Sequence, residues 1–406
     1  GGILTIQGGG GLGYGIYASS SGIVIGGDST DLVIIGKTAA FTRDTITVSG
    51  QQTDVTGWMC CVYVNGALDL IELPASLTVG GDTYDRAALG RNIAGDGWKW
   101  NFMTSQLVLC GYDGAEIACS STLNLVLEDG TENRVAGTNG YAIQSSHLTI
   151  SGEGSLSASG TGTSGKYGYG IYVPSGSIVI NSGVIAANGD GGSGDYEYGY
   201  GIRCGSIAVY GGTVTATGNG DDYGYGVYAS SMSVSGGGLT ACGSGKHSYG
   251  LYITVDAVIS NGKLVANGIG KYGYGIFVSD DVKIDGGTVM ANGGYSGIRA
   301  YGDFTVNDGT VEAKGTFSGI ETNDNIVIHG GKVTANGANT TDYSSGYGMR
   351  VYPGGISIHG GTVMVSGGCT NGYGYGLDAD SGVSINGDTA WVKMVGDSQL
   401  VQNASN

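Results

Sequence analysis

The sequence predicts an all-β fold, a right-handed parallel β-helix in which each coil contains three short strands. Three features lead to this prediction: a glycine-rich repeat, alternation of apolar residues within each repeat, and paired glycines at a fixed place in it. Of the 406 residues, 84 are Gly, 3 are Pro and 40% are hydrophobic. Because Pro is scarce and no Gly-X-Y period is present, collagen is excluded, and the apolar content argues against disorder. A solenoid can reach this length because its core grows one coil at a time.

The first strand of each coil is marked by a small residue, almost always Gly, followed by an apolar residue. Successive apolar residues lie 22 to 31 positions apart, which fits one coil with loops of varying length. We call these the aligned residues, and they are Ile143, Ile171, Ile202, Val227, Leu251, Ile276, Ile298, Ile320, Met349 and Leu377. Ile117, which follows Glu116, begins the series one coil earlier.

The second and third strands follow in a regular order. The second strand has an apolar-x-apolar pattern, as at 207–209, and a turn such as Gly211-Gly212 comes next. The third strand ends in Ala, as at 214–216. The second-to-third step is almost always seven residues, whereas the return to the next first strand takes 9 to 17. The length variation therefore lies on one edge of the rod, and such an edge often carries a binding site.

The chain divides into four predicted segments. Residues 1–57 are predicted to form irregular N-terminal coils, 58–115 a connecting or capping segment, 116–387 the regular β-helix and 388–406 a C-terminal cap or tail. In the second segment, residues 98–101 and 106–109 are predicted to form a hairpin whose two Trp plug or join one end. Because the sequence begins inside a strand pattern, we expect a fragment of a longer exported polypeptide.

Charge and cysteine content limit the classes of function. The net charge is −17 and the pI about 4.4, which argues against nucleic acid as a partner and suits a soluble surface protein. No apolar run reaches the roughly 18 residues of a membrane span, so no membrane insertion is expected. Seven cysteines at irregular spacing do not form a disulfide framework. Cys110 and Cys119 could pair or remain free thiols.

The residues that directly follow the aligned positions are predicted to face outward. The first five are candidates for ligand binding, because aromatic side chains on successive coils, flanked by glycines, would form a shallow groove for a polysaccharide. Arg203 would contact the carboxylate of a uronic acid. These candidates are Tyr172, Arg203, Tyr228, Tyr252 and Phe277. The later members of the row, Arg299, Glu321, Arg350 and Asp378, alternate in charge and are predicted to form ion pairs.

Two rows of tyrosines precede the aligned residues. Four positions earlier stand Tyr167, Tyr198, Tyr223 and Tyr272. Two positions earlier stand Tyr141, Tyr169, Tyr200, Tyr225, Tyr249, Tyr274, Tyr347 and Tyr375. By parity along the strand both rows share the face of the buried aligned residues, where stacked rings would stabilise the coil. The alternative is that they turn outward at the corner.

Two neighbouring acidic loops, 190–197 and 220–222, suggest calcium as a cofactor. Their candidate ligands are Asp195, Glu197, Asp221 and Asp222, which supply the oxygen atoms that calcium prefers. The loops resemble a calcium-binding nonapeptide but lack the spacing and the tandem repetition of that motif, so solvated loops are the alternative.

The residues that could support catalysis are few. His329 and His359 occupy turn positions, and His147 and His247 lie apart from them. Asp280-Asp281 is the only other acid doublet in the regular coils, and the sequence predicts no aligned cluster around it. Because a glycosidase or lyase needs clustered carboxylates near a base, the sequence predicts no enzyme.

One family resemblance follows from the motifs in their order along the chain. The order of residues 97–101, 107–109, 111–112, 148–152 and 168–172 resembles the secreted carbohydrate-binding β-helix modules of clostridial and related anaerobic Firmicutes. The resemblance implies a fold similar to that of pectate-type polysaccharide lyases and a binding role. It identifies no individual ligand residue.

The expected function is therefore that of a non-catalytic, extracellular carbohydrate-binding or adhesive module on a bacterial surface. One alternative is a structural stalk or filament segment. Another is a calcium-dependent polysaccharide lyase. The sequence leaves the oligomeric state open.

Overall fold

The chain is an all-β parallel solenoid of about 11 turns, as the sequence predicts. The computed structural model describes residues 73–162, 167–192, 197–339, 345–369, 372–387 and 389–396, and only the backbone of the strands before residue 73 and after residue 396. No helix within these residues is long and apolar enough to cross a membrane.

Seven strands precede the solenoid and form two small sheets. The pairing is parallel between β1 and β3 and between β2 and β4, and antiparallel in β4–β5 and β3–β6–β7. The strands are β1 (Gly2–Gln7), β2 (Ile23–Ile25), β3 (Thr30–Gly36), β4 (Thr45–Val48), β5 (Gln51–Asp54), β6 (Met59–Val64) and β7 (Ala67–Glu72).

Antiparallel strands and one short helix close the N-terminal end of the solenoid. They are β8 (Ser76–Val79), β9 (Asp82–Asp85), α1 (Arg86–Leu89), β10 (Ile93–Gly95), β11 (Trp98–Asn101) and β12 (Gln106–Leu109). The predicted hairpin is confirmed, because β11 pairs antiparallel with β12. Trp100 is fully buried in the core, and its indole N–H donates to the carbonyl of Leu89 at 2.8 Å. Such a plug covers apolar surface that an open coil would expose.

In the parts of the chain that the structure describes, the coils contain thirty-three further strands. In chain order they are β13 (Asp113–Gly114), β14 (Ile117–Cys119), β15 (Thr122–Leu127), β16 (Glu132–Gly137), β17 (Tyr141–Gln144), β18 (His147–Gly152), β19 (Ser155–Thr161), β20 (Gly168–Ile180), β21 (Val184–Asp190), β22 (Tyr198–Val209), β23 (Thr213–Asn219), β24 (Tyr223–Ala229), β25 (Ser231–Val234), β26 (Gly238–Ser244), β27 (His247–Ile253), β28 (Ala257–Ile259), β29 (Lys263–Gly268), β30 (Tyr274–Val278), β31 (Val282–Ile284), β32 (Thr288–Gly293), β33 (Ser296–Ala300), β34 (Phe304–Val306), β35 (Thr310–Gly315), β36 (Ser318–Thr322), β37 (Ile326–Ile328), β38 (Lys332–Asn339), β39 (Ser345–Val351), β40 (Ile356–Ile358), β41 (Thr362–Cys369), β42 (Tyr373–Ala379), β43 (Val383–Ile385), β44 (Trp391–Gly396) and β45 (Gln399–Gln402).

Each strand of a coil pairs in parallel with its counterpart in the next coil. The aligned residues meet their equivalents directly, as in Ile171 with Ile202 and Val227 with Leu251. The Ala residues of the third strands do the same, as in Ala187 with Ala216. All of these side chains are buried, so the core is a set of ladders running along the rod.

Paired glycines form the corner before strands that contain the buried Ala, as at Gly211-Gly212 between β22 and β23. Gly212 has a φ of +74°, and a Cβ there would lie 2.5 Å from the carbonyl oxygen of Gly183 in the previous coil. Only glycine tolerates both the backbone conformation and this close approach. The corner is therefore encoded locally in each repeat.

At the C-terminal end the chain continues the coils. The predicted C-terminal cap or tail, 388–406, includes two strands that extend the ladders, because β44 pairs in parallel with β41 and β45 with β42. The side chain of Trp391 is 54% exposed. Cys110 and Cys119 are free thiols, so the open question of their pairing is answered.

Candidate ligand-binding face

Aromatic side chains cover one outer face of the solenoid in three ladders, which we call the tyrosine face. The outer ladder contains Tyr167, Tyr198, Tyr223, His247 and Tyr272. The middle ladder contains Tyr141, Tyr169, Tyr200, Tyr225, Tyr249 and Tyr274. The inner ladder contains Tyr172, Arg203, Tyr228, Tyr252 and Phe277, the predicted ligand-binding residues.

The parity prediction for the tyrosine rows is wrong, and the alternative of an outward turn is correct. Tyr169 packs in a cluster of tyrosines separate from the main core that contains Ile171. The reason lies at Gly170, which the strand pairing skips: Tyr169 pairs with Tyr200, and Ile171 then pairs with Ile202. A Cβ on Gly170 would lie 2.5 Å from the backbone nitrogen of Asn188 in the third strand of the same coil. Two consecutive residues thus face inward, and the alternation shifts by one position.

The rings of the middle ladder stack on one another. The centroids of Tyr200 and Tyr225 are 4.8 Å apart with planes 5° from parallel, and those of Tyr225 and Tyr249 are 5.1 Å apart at 5°. Tyr274 extends the stack at 5.5 Å from Tyr249. Tyr225 and Tyr249 therefore have a neighbouring ring on both faces. Such ring contacts add stability to that gained from burying apolar surface.

The inner ladder stacks in the same way. The ring of Tyr252 lies 5.0 Å from Tyr228 and 4.9 Å from Phe277, with planes 6° and 11° from parallel. Against the middle ladder the same ring is nearly perpendicular, at 87° to Tyr225. Because both of its faces are covered, Tyr252 offers a ligand its edge and its hydroxyl group. The predicted groove in which a sugar lies flat on these rings does not exist at Tyr252.

The hydroxyl groups of Tyr172, Tyr228 and Tyr252 reach solvent. Tyr172, Tyr228 and Tyr252 are half-buried, and their hydroxyls make no hydrogen bond to a residue that the structure describes. None of them is among the buried atoms that lack a partner. The face thus combines buried rings with a surface of phenol groups, each able to donate and accept a hydrogen bond.

Burial raises the pKa of the phenols in the middle ladder. Burial, with the neighbouring Tyr252, raises the pKa of Tyr249 to about 12. Burial also raises the pKa of Tyr200, Tyr225 and Tyr274. At neutral pH these hydroxyls are therefore available as hydrogen-bond donors.

Arg203 occupies a position among four tyrosine rings. Its Cζ atom lies 5.4 Å from the ring centroid of Tyr200, 5.5 Å from Tyr228 and 5.9 Å from both Tyr169 and Tyr172. Its Nη1 donates to the hydroxyl oxygen of Tyr169 at 3.1 Å. A guanidinium within about 6 Å of aromatic rings is held by cation–π attraction as well as by this hydrogen bond.

Beyond Phe277 the inner ladder becomes a row of charges. The predicted ion pairs are confirmed: Arg299 contacts Glu321, and Arg350 lies 3.9 Å from Glu321 and 3.8 Å from Asp378. Ser296 also donates to the Glu321 carboxylate at 3.3 Å. These charges neutralise one another, and they follow the aromatic part of the inner ladder.

The predicted calcium ligands are not gathered into one site among the residues that the structure describes. Glu197 is buried, whereas Asp221 is exposed and Asp222 half-buried. Asp195 lies outside the described residues, so calcium binding by this loop remains a prediction.

The carboxylates of Asp256, Asp280 and Asp281 form an exposed cluster. The doublet Asp280-Asp281 is evident in the sequence, but the expectation that no aligned cluster surrounds it is wrong, because Asp256 lies beside it. Asp256 and Asp281 hold the same position, directly before a second strand, and this shared register could have revealed them. Asp256 accepts the backbone N–H of Asp281, and Asp281 accepts that of Asp303, at 3.2 and 2.8 Å. Desolvation and the neighbouring carboxylates raise the pKa of Asp280. These hydrogen bonds make the Asp256–Asp281–Asp303 series a structural ladder.

His247, His329 and His359 take part in ring stacks. His247 stacks between Tyr223 and Tyr272 at 5.0 and 5.2 Å, and its offset from the aligned Leu251 could have placed it in the outer ladder. His329 and His359 stack at 5.2 Å, as expected for turn residues on neighbouring coils.

No family model, curated protein or solved structure matches this chain. The site must therefore be interpreted from its own geometry.

Proposed function

We propose that the chain is a non-catalytic module on the surface of a bacterium that binds a polysaccharide along the tyrosine face and serves in carbohydrate binding or adhesion. The binding residues in this proposal are those of the inner ladder, Tyr172, Arg203, Tyr228, Tyr252 and Phe277. They contact the ligand through ring edges, hydroxyl groups and the guanidinium group.

The row of solvent-facing phenol groups is the observation that supports this proposal most strongly. Neighbouring coils of a parallel solenoid are about 4.8 Å apart, close to the length of one sugar in an extended β-linked chain. Hydroxyls repeated at this spacing, as on Tyr228 and Tyr252, can therefore meet successive sugars in register. The contact is shallow, so each sugar adds little affinity and several coils must act together.

The finer geometry of the coil belongs to the same proposal. We infer a right-handed coil with three strands in each turn, because crossovers between parallel strands of one sheet are right-handed in nearly all proteins. In such a coil the first strands form one continuous side of the rod.

A structural stalk is the second candidate function. The stacking of Tyr252 between Tyr228 and Phe277 favours it, since rings covered on both faces already stabilise the rod without any ligand. In this reading the tyrosine face is a rigid spine.

Removing two hydroxyls without removing their rings tests the binding proposal. The double variant Tyr228→Phe/Tyr252→Phe keeps the stacked ladder, so its thermal stability should match that of the wild type. We expect its affinity for a polysaccharide that retards the wild type in affinity electrophoresis to fall roughly tenfold, from the loss of two hydrogen bonds.

The matched control is Tyr210→Phe/Tyr352→Phe, which removes two hydroxyls from exposed tyrosines outside the tyrosine face. Unchanged retardation of both double variants would place the binding site elsewhere. If a broad glycan array and electrophoresis on cellulose and pectin derivatives detect no binding by the wild type, the stalk becomes the better account. Release of unsaturated products from polyuronates would contradict both and support the lyase alternative.

A further inference from the structure

The surroundings of Arg203 differ from those of the other arginines in its row. Arg299 and Arg350 each contact a carboxylate, Glu321 or Asp378. Arg203 contacts no carboxylate among the described residues, although the chain carries a net charge of −17. A half-buried guanidinium without an anionic partner can still form strong, charge-assisted hydrogen bonds to an anion.

The donors at this position point to an anion as the ligand. A guanidinium has five N–H donors and no acceptor, and Tyr169 is the one described residue that accepts from Arg203. Because the Tyr169 oxygen accepts that bond, its own proton remains available for donation. The hydroxyls of Tyr172 and Tyr228 lie on the flanking coils of the same ladder. The group is thus rich in donors and is held rigidly by four rings.

We propose that Arg203, with the Tyr169 hydroxyl, binds an oxyanion on the sugar chain, so that the ligand of the tyrosine face is an acidic polysaccharide. This inference rests on the proposed polysaccharide binding and specifies the class of sugar. The oxyanion is the carboxylate of a uronic acid or a sulfate ester, both of which a guanidinium binds with two parallel N–H donors. At physiological salt, charges more than about 8 Å away are screened, so the contact with Arg203 outweighs the distant acidic groups of the protein.

Polygalacturonate and its methyl ester provide the test, because they share a backbone and differ in the charge of the carboxyl group. In affinity electrophoresis at about 0.15 M salt, we expect polygalacturonate to retard the wild type more strongly than the ester does. Arg203→Gln should lose roughly tenfold or more in affinity for the acid and little for the ester. Arg203→Lys, which keeps the charge but not the planar pair of donors, should lie between them. Dextran sulfate against dextran shows whether sulfate esters are bound instead.

The control variant is Arg134→Gln, which makes the same change in charge on a different sheet, where Arg134 lies 3.9 Å from Asp113. It should behave as the wild type. Arg203→Gln can lose cation–π contacts, so its melting temperature is measured as well. If Arg203→Gln does not fold, Arg203→Lys and Tyr169→Phe test the inference instead. Both variants should reduce the difference in retardation between polygalacturonate and its methyl ester.

Two results would overturn the inference, and they differ in what they leave standing. Retardation by the methyl ester that equals or exceeds that by the acid, with no gain from sulfation, would show that Arg203 is structural while polysaccharide binding stands. The absence of retardation by any polysaccharide, neutral or acidic, would remove the proposed function together with the inference.

Discussion

At the scale of single residues, the tyrosines of the middle ladder connect stability to pH. Burial raises the pKa of Tyr249 from an ordinary value of 10.0 to about 12. The neutral phenol is thus favoured in the folded state. Its contribution to stability is complete below about pH 10 and is lost as the pH rises through the folded-state value of about 12. Tyr200, Tyr225 and Tyr274 act in the same direction.

Alkaline titration tests this behaviour. Followed by tyrosinate absorbance, exposed tyrosines should ionise near pH 10, and the middle ladder should ionise only at higher pH, together with loss of the β-sheet circular dichroism signal. Tyr249→Phe should unfold at higher pH than the wild type, whereas Tyr352→Phe, at a residue that is 65% exposed, should not. Ionisation of all tyrosines in one step near pH 10 in a folded chain would contradict the burial of the ladder.

At the scale of the structural element, the glycine that precedes the aligned residue within the first strand determines where the tyrosines point. At Gly226 a Cβ would lie 2.5 Å from the backbone nitrogen of Cys242 and 2.6 Å from the carbonyl oxygen of Gly250. These atoms belong to the third strand of the same coil and to the following coil, so neither can move without moving a strand. The glycine is therefore required by packing, and the outward position of Tyr225 depends on it.

Replacing Gly226 with alanine tests this close packing. Gly226→Ala should destabilise the chain by about 1–3 kcal/mol or more, because the extra methyl meets backbone on two sides. Gly238→Ala is the control in the same coil, since its nearest heavy atom would lie 4.0 Å away and its φ is not positive. That variant should change stability by no more than about 1 kcal/mol. Equal melting temperatures for the two variants would show that the backbone around Gly226 has room for a methyl group, which would contradict this description.

At the scale of the whole molecule, the sequence was sufficient to predict the parallel coils. It was insufficient to predict which way the side chains of the tyrosine face point. Each repeat carries its own signals, an aligned apolar residue such as Ile202, a glycine corner such as Gly212 and a terminal Ala such as Ala216, so the parallel solenoid could be predicted. The direction of the Tyr169 side chain could not be predicted. The skipped pairing at Gly170 reverses which face of the strand each preceding side chain occupies. The position of Arg203 among four rings depends on side chains from three coils, and no local pattern encodes such a contact.

Polysaccharide binding along the tyrosine face is the central claim, and a crystal structure of the chain with an oligosaccharide tests it most directly. The oligosaccharide is prepared from whichever polysaccharide retards the wild type and is about five sugars long, enough to pass the five coils from Tyr172 to Phe277 at about 4.8 Å per coil. The account predicts a sugar chain parallel to the rod axis, in contact with the edges and hydroxyls of Tyr228 and Tyr252, with an acidic group at Arg203. A sugar chain bound on the edge of variable loops, with the tyrosine face bare, would contradict it.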